Sequence, residues 1–303
     1  MKILITGASG LIGGRLIKDL SSKGHSITSL TRDLKHVKIL EKYGKAKIIN
    51  WEKLDDPSIF QDYDIAILCS GPNSNYCENN RSYIIDNYIN NTERFLVKLS
   101  KNKIKKIIYL SSIHVYNKPL EDEIAEHNIS ENNHPYAISK TESEKLILSK
   151  EIFKESKKYI FRLSNCYGYP VLTKADSYDL FINNICKMIL EINKIEIKGN
   201  PNILKDFIPI NYLTKIINYF IEHDIKSGIY NVSSGKITSL LSFAKKIQNR
   251  AKKLLDKKID IITRSAPKTV NNYEISNAKI MKYIAKIQLN HDSEIDSLLD
   301  KDS

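Results

Sequence analysis

The segment KILITGASGLIGGRLIKDL (residues 2–20) runs from an unbroken apolar tract into three regularly spaced glycines and out into a helical pattern. KILIT is short, apolar and cut off at once by Gly7, which reads as a buried strand. Beyond the turn, Leu11, Leu16, Ile17 and Leu20 recur at helical spacing until Gly24 stops the helix. Gly7, Gly10 and Gly13 therefore lie between a strand and a helix. Backbone without side chains can turn tightly there, approach a phosphate and aim the helix N–H groups at it. At the first turn of a strand–helix–strand unit, the pattern predicts dinucleotide binding.

The alternation continues along the chain. SITSLT, a helix around 34–43, AKII and the buried strand DIAILCSG are followed by a helix carrying YIIDNYINNTERFLVKLSKN and by the strand KKIIYLSS. Strands separated by helices of this length predict right-handed crossovers and a parallel sheet covered on both faces. The expected fold class is α/β, a Rossmann-type doubly wound parallel sheet with a smaller C-terminal lobe over the substrate. The polar stretch 117–135, NKPLEDEIAEHNISENNHP, reads as a loop over the cleft.

Composition narrows the function. A chain of 303 residues, 42% hydrophobic, can bury a substantial core. It contains no apolar run long enough to span a membrane, and the opening ILI reaches Gly7 too soon for a secretory segment, so a cytoplasmic location is expected. Cys69, Cys77, Cys166 and Cys186 share no CxxC spacing, which predicts reduced thiols and neither a metal site nor a disulfide framework. The net charge of +12 is scattered through amphipathic segments with no aromatic-interleaved basic stripe, so anionic small substrates are expected as partners, and not nucleic acid. LLSFAKKIQNRAKKLLD (240–256) carries an apolar and a basic stripe, read as packing plus solvent face and not as a membrane anchor.

The spacing Gly-x-x-Gly-x-x-Gly after Thr6 resembles the extended short-chain dehydrogenase/reductase family, whose members mostly modify nucleotide-activated sugars. The likeness recurs along nearly the whole chain. YLSSIHVY resembles the strand ending in a catalytic hydroxyl, here Ser112, and YAISK supplies Tyr136 and Lys140 at the Tyr-x-x-x-Lys spacing. DNYINNT resembles the helix motif with Asn87 at its asparagine. RLSNCYGYP, KDFIPINYL and GIYNVSSG resemble the family's later segments in order.

The chemistry calls for the same residues. Tyr136 and Lys140 lie one helical turn apart on one face, which brings an ammonium near a phenol and favours the phenolate. Ser112 can hydrogen-bond the same substrate oxygen. Together the three can move a proton to or from a carbinol while a nicotinamide exchanges hydride. Gly7, Ser9, Gly10, Leu11, Ile12, Gly13, Arg32, Ser70 and Asn87 are the expected cofactor contacts.

Thr31 stands where NAD-using relatives carry an Asp for the ribose hydroxyls, and Arg32 follows it. A carboxylate would repel a 2′-phosphate and a guanidinium would bind it, so NADP(H) is favoured over NAD(H), with Asp33 as a ribose ligand the competing reading. Arg15 is a candidate second phosphate contact. A reductase consumes NADPH at each turnover, so reduction of a 4-keto nucleotide sugar is expected. An epimerase with tightly held cofactor is the alternative, and a non-catalytic cofactor sensor a third reading.

The family's 4,6-dehydratases follow the catalytic hydroxyl with Asp-Glu, whereas this chain has Ile113-His114, which argues against dehydration. His114, an imidazole that ordinarily titrates near neutrality, reads as a sugar contact or proton shuttle, or equally as a satisfied polar residue of the cleft wall. The resemblance implies substrate contacts at Asn165 and Lys205, the last replacing an arginine that contacts nucleotide phosphates in relatives, while Asn117 replaces a glycine. His134 reads as a loop residue. The expected division is a dinucleotide-binding domain over 1–165 plus about 206–234, with about 166–205 and 236–303 forming the substrate lobe. The resemblance also implies a homodimer through the helices bearing the Tyr-x-x-x-Lys and asparagine motifs.

Overall fold

Apolar runs without polar alternation form the centre of the molecule. The computed structural model describes every residue except 33–39, 42–45, 61, 150, 173–177, 264–271 and 301–303. Strands β1 (Lys2–Thr6), β2 (Ser26–Thr31), β3 (Lys47–Asn50), β4 (Ile65–Leu68), β5 (Lys106–Ser112), β7 (Lys157–Leu163) and β11 (Gly228–Val232) make one parallel sheet, ordered β3-β2-β1-β4-β5-β7-β11. The chain steps outward from β1 to β3, then returns to β4 on the other side of β1. This reversal opens a crevice at the carboxyl ends of β1 and β4, where doubly wound sheets bind ligands.

Alternate residues of each strand serve opposite faces. Ile3, Ile5, Ile65, Ile67, Ile108 and Phe161 pack on one side with α1 (Leu11–Ser22) and a later helix, Ile210–Glu222. Leu4, Ala66, Leu68, Ile107, Tyr109 and Ile160 pack on the other. The helices there are α3 (Ile89–Ser100) and α4 (Pro135–Leu148), the short α2 (Ser74–Asn79) preceding them. Burial on both faces explains why these strands lack polar alternation. The helix expected around 34–43 falls mostly outside the described residues.

A second core joins α5 (Phe181–Ile192), α7 (Leu240–Leu255) and α9 (His291–Leu299) through Ile185, Ile189, Phe243, Ile247, Ile295 and Leu298, with α6 being Ile210–Glu222 and α8 Ala278–Ile284. Several segments sit differently from the division drawn on the sequence. β10 (Leu204–Pro209) leaves the main sheet and pairs with β8 (Asn165–Tyr167) and β12 (Ile237–Ser239). α8 buries Ile280 and Ile284 in the core of the main sheet. Within 117–135, read as loop throughout, β6 (Asp122–Ile124) pairs in parallel with β14 (Tyr273–Ile275). The last of these pairings joins Asp122 to Tyr273, more than a hundred residues apart, and all of them lie beyond the reach of local periodicity.

Candidate active site

The glycine turn is built by close packing. Gly7 has φ +77°, and a Cβ on it would fall 2.9 Å from the Ser70 amide nitrogen. A Cβ on Gly13 would fall 2.1 Å from the Gly7 carbonyl oxygen, so the first helical turn can lie on the strand end only with glycine there. Gly10 differs: its backbone is extended and an added Cβ would meet only the Gly7 oxygen, at 3.4 Å. The fold tolerates a side chain at Gly10, so what glycine leaves open there is space above the turn. The first turn of α1 carries no acid and no side-chain cap, which leaves its N–H groups and positive dipole end toward that space. Thr6 Oγ1 accepts from the Ser70 amide at 3.2 Å and the Ser70 hydroxyl at 2.9 Å, locking β1 to the end of β4. Thr31 Oγ1 donates to Ser9 Oγ at 3.3 Å.

Two cavities share Gly71, which follows Ser70 at the end of β4, and Ile12 of the glycine turn borders the second. One, about 390 Å³, is bordered by Arg32, Trp51, Ser70, Tyr88, Phe95 and Tyr109. The other, about 410 Å³, is bordered by Ile12, Ser112, His114, Tyr136, Lys140 and Asn165. Two clefts that meet at one glycine have the layout an extended dinucleotide would need, with one ring system on either side.

In the second cavity Ser112 ends β5, and its hydroxyl accepts from the His114 amide at 3.2 Å, capping a short 3-10 turn. Pro135 starts α4, and His134 caps it by accepting from the Tyr136 amide at 3.1 Å while its other ring nitrogen meets Glu78 at 3.1 Å. His134 thus lies in the loop, as expected, and caps the helical turn that carries Tyr136. The Tyr136 side chain hydrogen-bonds Ser112, and the His114 ring stands edge-on to the Tyr136 ring at 6.3 Å. Lys140 Nζ donates to the Leu110 carbonyl at 2.9 Å and lies 5.1 Å from the Tyr109 ring centroid and 5.7 Å from that of Tyr136.

The electrostatics differ from the simple expectation of a phenolate beside a cation. Burial raises the Tyr136 pKa and outweighs the Ser112 hydrogen bond, so the phenol holds its proton. Lys140 is itself pushed down to about 8 by burial. His114 is driven to about 4 by burial and then by the charges of Lys205, Lys118 and His134, leaving a neutral imidazole near pH 7. The resting site thus presents a protonated phenol, a hydroxyl and a buried ammonium to one cavity: a proton donor with a second hydrogen-bonding partner.

The lysine result carries a stability prediction. A lysine whose folded pKa lies below its ordinary 10.5 destabilises the folded state while both forms are charged, and the penalty fades as pH rises from about 8 toward 10.5. Lys140→Met should accordingly gain about 1–3 kcal/mol at pH 7. Thermal unfolding should show that gain shrinking toward pH 10, and a gain independent of pH would contradict the assignment.

Other expected site residues divide. Asn165 borders the second cavity and donates to the Asp206 carbonyl at 2.8 Å. Lys205 lies partly buried on β10, its pKa lowered by burial and by Lys118. Arg32 is exposed at the mouth of the first cavity, and Asp33 lies outside the described residues. Arg15 is not turned to a phosphate: its Nη1 and Nη2 hold Glu294 of α9 at 2.8 and 3.2 Å, tying the two cores together. Asn87 is exposed and borders neither cavity, whereas Tyr88 borders the first. Both residues lie in a π-helical turn, Ile84–Tyr88, ahead of α3. Its extra residue rotates the preceding chain by about 100° relative to an α-helical register. Burial pushes the Tyr88 phenol up to about 12, and Gly71 lies between it and Lys140: a Cβ there would be 3.6 Å from the Tyr88 hydroxyl and 3.1 Å from Lys140 Nζ.

The sheet order, glycine turn and Ser112–Tyr136–Lys140 cluster define a doubly wound dinucleotide-type fold. The chain belongs to the NAD dependent epimerase/dehydratase family, whose profile matches residues 3–233. It is similar to ADP-L-glycero-D-manno-heptose-6-epimerase of Brachyspira hyodysenteriae, 27% identical over 268 residues covering 81% of this chain and 80% of that protein. It is also similar to dTDP-D-glucose 4,6-dehydratase of Dictyostelium discoideum, 26% identical over 82% of this chain and 62% of that one. Among solved structures, UDP-N-acetylglucosamine 4-epimerase from Methanobrevibacter ruminantium M1, in complex with UDP-N-acetylmuramic acid, superposes with TM-score 0.79 at 20% identity, covering 98% of this chain and 96% of that chain. UDP-Glucuronic acid 4-epimerase from Bacillus cereus, in complex with UDP-Glucuronic acid and NAD, gives TM-score 0.76 at 19% identity over 98% and 99%. At these identities the superpositions carry the fold.

Proposed function

We propose that the protein reduces a 4-keto nucleotide sugar with NADPH. The observation that carries this reading is the buried, protonated Tyr136 phenol held by Ser112 at the wall of the second cavity. Carbonyl reduction needs a proton donor at the oxygen, and a phenol that keeps its proton at neutral pH can serve as one. NADPH, when bound, supplies the hydride to the carbonyl carbon. Ser112 orients the carbonyl oxygen, Tyr136 donates its proton to the forming alkoxide, and Lys140 stabilises the resulting phenolate until solvent returns the proton. The main sheet binds the cofactor through Gly7, Ser9, Gly10, Leu11, Ile12, Gly13, Arg32 and Ser70, and the smaller lobe covers the sugar nucleotide. Lys205, Asn165 and neutral His114 face the diphosphate and the sugar. Ile113, 1% exposed and packed in a small apolar cluster, offers no proton-transfer group where a dehydratase would need one.

Arg32 supports NADP over NAD by placing an exposed guanidinium on the border of the first cavity, which Glu52 and Asp55 also line. Among the described residues no helix is long and apolar enough to cross a membrane, and all four cysteines are free, which fits a cytoplasmic enzyme. By resemblance we also take it to dimerise through α3 and α4, which pack against each other within the chain.

Purified protein should oxidise NADPH only when a 4-keto sugar nucleotide is added, one NADPH per product. Product without net NADPH loss would establish the epimerase alternative, which the similarity to an epimerase keeps in view. Arg32→Asp should lower kcat/KM for NADPH about 10–100-fold, the worth of one charge-assisted contact, and leave NADH within a few-fold. Equal losses with both cofactors would remove Arg32 from the 2′-phosphate site.

A further inference from the structure

Behind the proposed catalytic lysine lies a buried charged cluster. Glu144 sits one turn beyond Lys140 on α4, and both side chains reach the same strand: Lys140 donates to the Leu110 carbonyl, while the Ser111 hydroxyl makes a very short hydrogen bond to Glu144. From β7, Arg162 closes on the carboxylate with Nε at 3.1 Å from Oε1 and Nη2 at 2.7 Å from Oε2. Both ionised side chains are 4% exposed. The Tyr116 ring covers the guanidinium at 4.8 Å, and its hydroxyl donates to Asn231 at 2.6 Å. Arg162 also reaches the Glu126 carbonyl and Ser130 hydroxyl, both at 3.5 Å.

We infer that Glu144, clamped by Arg162 and Ser111, is a positioning residue that keeps Lys140 an ammonium ion and fixes α4 against β5. The surroundings of Lys140 leave Glu144 as the carboxylate whose charge supports it. From β5 it meets the Tyr109 ring and the Leu110 carbonyl. Beyond β4 it meets Cys69, and from α2 Cys77, both thiols held protonated by burial. Tyr88 reaches it across Gly71, and Tyr136 from its own helix; both phenols are protonated at neutral pH. Only Glu144 among these is an anion, and it acts at an i,i+4 spacing in a dry interior where screening is weak. Arg162 tempers it: the pair is neutral as a unit, so the proton affinity of Lys140 is set by how far each of the two charges lies from Nζ. A buried ion pair replaceable by apolar residues without loss of stability has reason to persist when it sets a neighbour's charge.

The catalytic role of Lys140 rests on the function proposed above, so the test reads the lysine without substrate or cofactor. Trace acetylation by acetic anhydride across pH, quantified by mass spectrometry on the peptide bearing Lys140, gives the midpoint of its protonation. Glu144→Gln should move that midpoint down by about half a pH unit or more, a threefold rise in the neutral amine, and Arg162→Gln should move it up. Arg162→Lys, which keeps the charge, should hold the wild-type midpoint. Should Glu144→Gln not fold, the same charge is removed by comparing Arg162→Gln with the double variant Glu144→Gln/Arg162→Gln, where the midpoint should fall. Unchanged midpoints, or single variants moving in one direction, would overturn the inference and make the cluster purely structural. Absence of sugar-nucleotide turnover would bear on the proposed function and leave these midpoints standing.

Discussion

Tyr136→Phe should leave a folded protein that binds dinucleotide as the wild type does and turns over at least about a thousandfold more slowly, the upper part of what a positioned acid contributes. The substitution removes one oxygen and keeps the ring, so the edge-on contact with His114 and the burial at the head of α4 survive. What disappears is the proton and the hydrogen bond with Ser112. Steady-state rates with a 4-keto sugar nucleotide, read beside a fluorescence titration of NADPH binding, separate the two effects. A variant that reacts at near wild-type rate would mean that the proton comes from elsewhere. If binding collapses along with the rate, Tyr136 serves the shape of the cavity and not its chemistry. Because the phenol is protonated well above neutrality, wild-type reduction should hold level from pH 6 upward and fail only where Lys140, near 8, gives up its charge.

The second large effect belongs to the glycine turn, and it divides by position. Gly13→Ala sets a methyl group 2.1 Å from the Gly7 carbonyl oxygen, a backbone atom that cannot rotate away. α1 must lift off the strand end, at a cost of about 3 kcal/mol, the upper range for overpacking, which corresponds to about a hundredfold loss in dinucleotide affinity if all of it falls on the bound geometry. Gly10→Ala introduces only a 3.4 Å contact and should melt within a degree or two of wild type. It should nevertheless lose binding to a similar degree, because its methyl occupies the space above the helix N-terminus. Melting curves with and without NADPH distinguish the two variants. Equal destabilisation of both would show that Gly10 is a packing residue, and unimpaired binding by Gly10→Ala would take the phosphate away from this turn.

The correspondence between sequence and structure is uneven in an instructive way. Positions that report on their own neighbourhood read correctly: the apolar runs of β1, β4 and β5 lie in one parallel sheet, and the helical stripe of residues 240–255 buries Phe243, Ala244, Ile247 and Ala251. The predicted meeting of Tyr136 with Ser112 rested on motif order, and the structure brings the two together on one cavity. Arg15 and Asn87 went elsewhere. Arg15 was read as a phosphate contact because it follows the turn, but its partner, Glu294, lies at the far end of the chain. Asn87 was read from the resemblance of DNYINNT to a helix motif, but in the structure it is exposed and its neighbour Tyr88, at the end of a π turn, borders the first cavity.

By itself, the sequence determined the sheet class, the glycine turn and the pairing of Tyr136 with Lys140, since each is written in periodicities of two to four residues that local backbone geometry obeys. Tertiary structure alone decided which charges those groups carry. Desolvation depends on every atom that excludes water, and the Glu144–Arg162 clamp, the burial of Tyr136 and the basic surroundings of His114 bring together residues as far apart in the chain as His114 and Lys205.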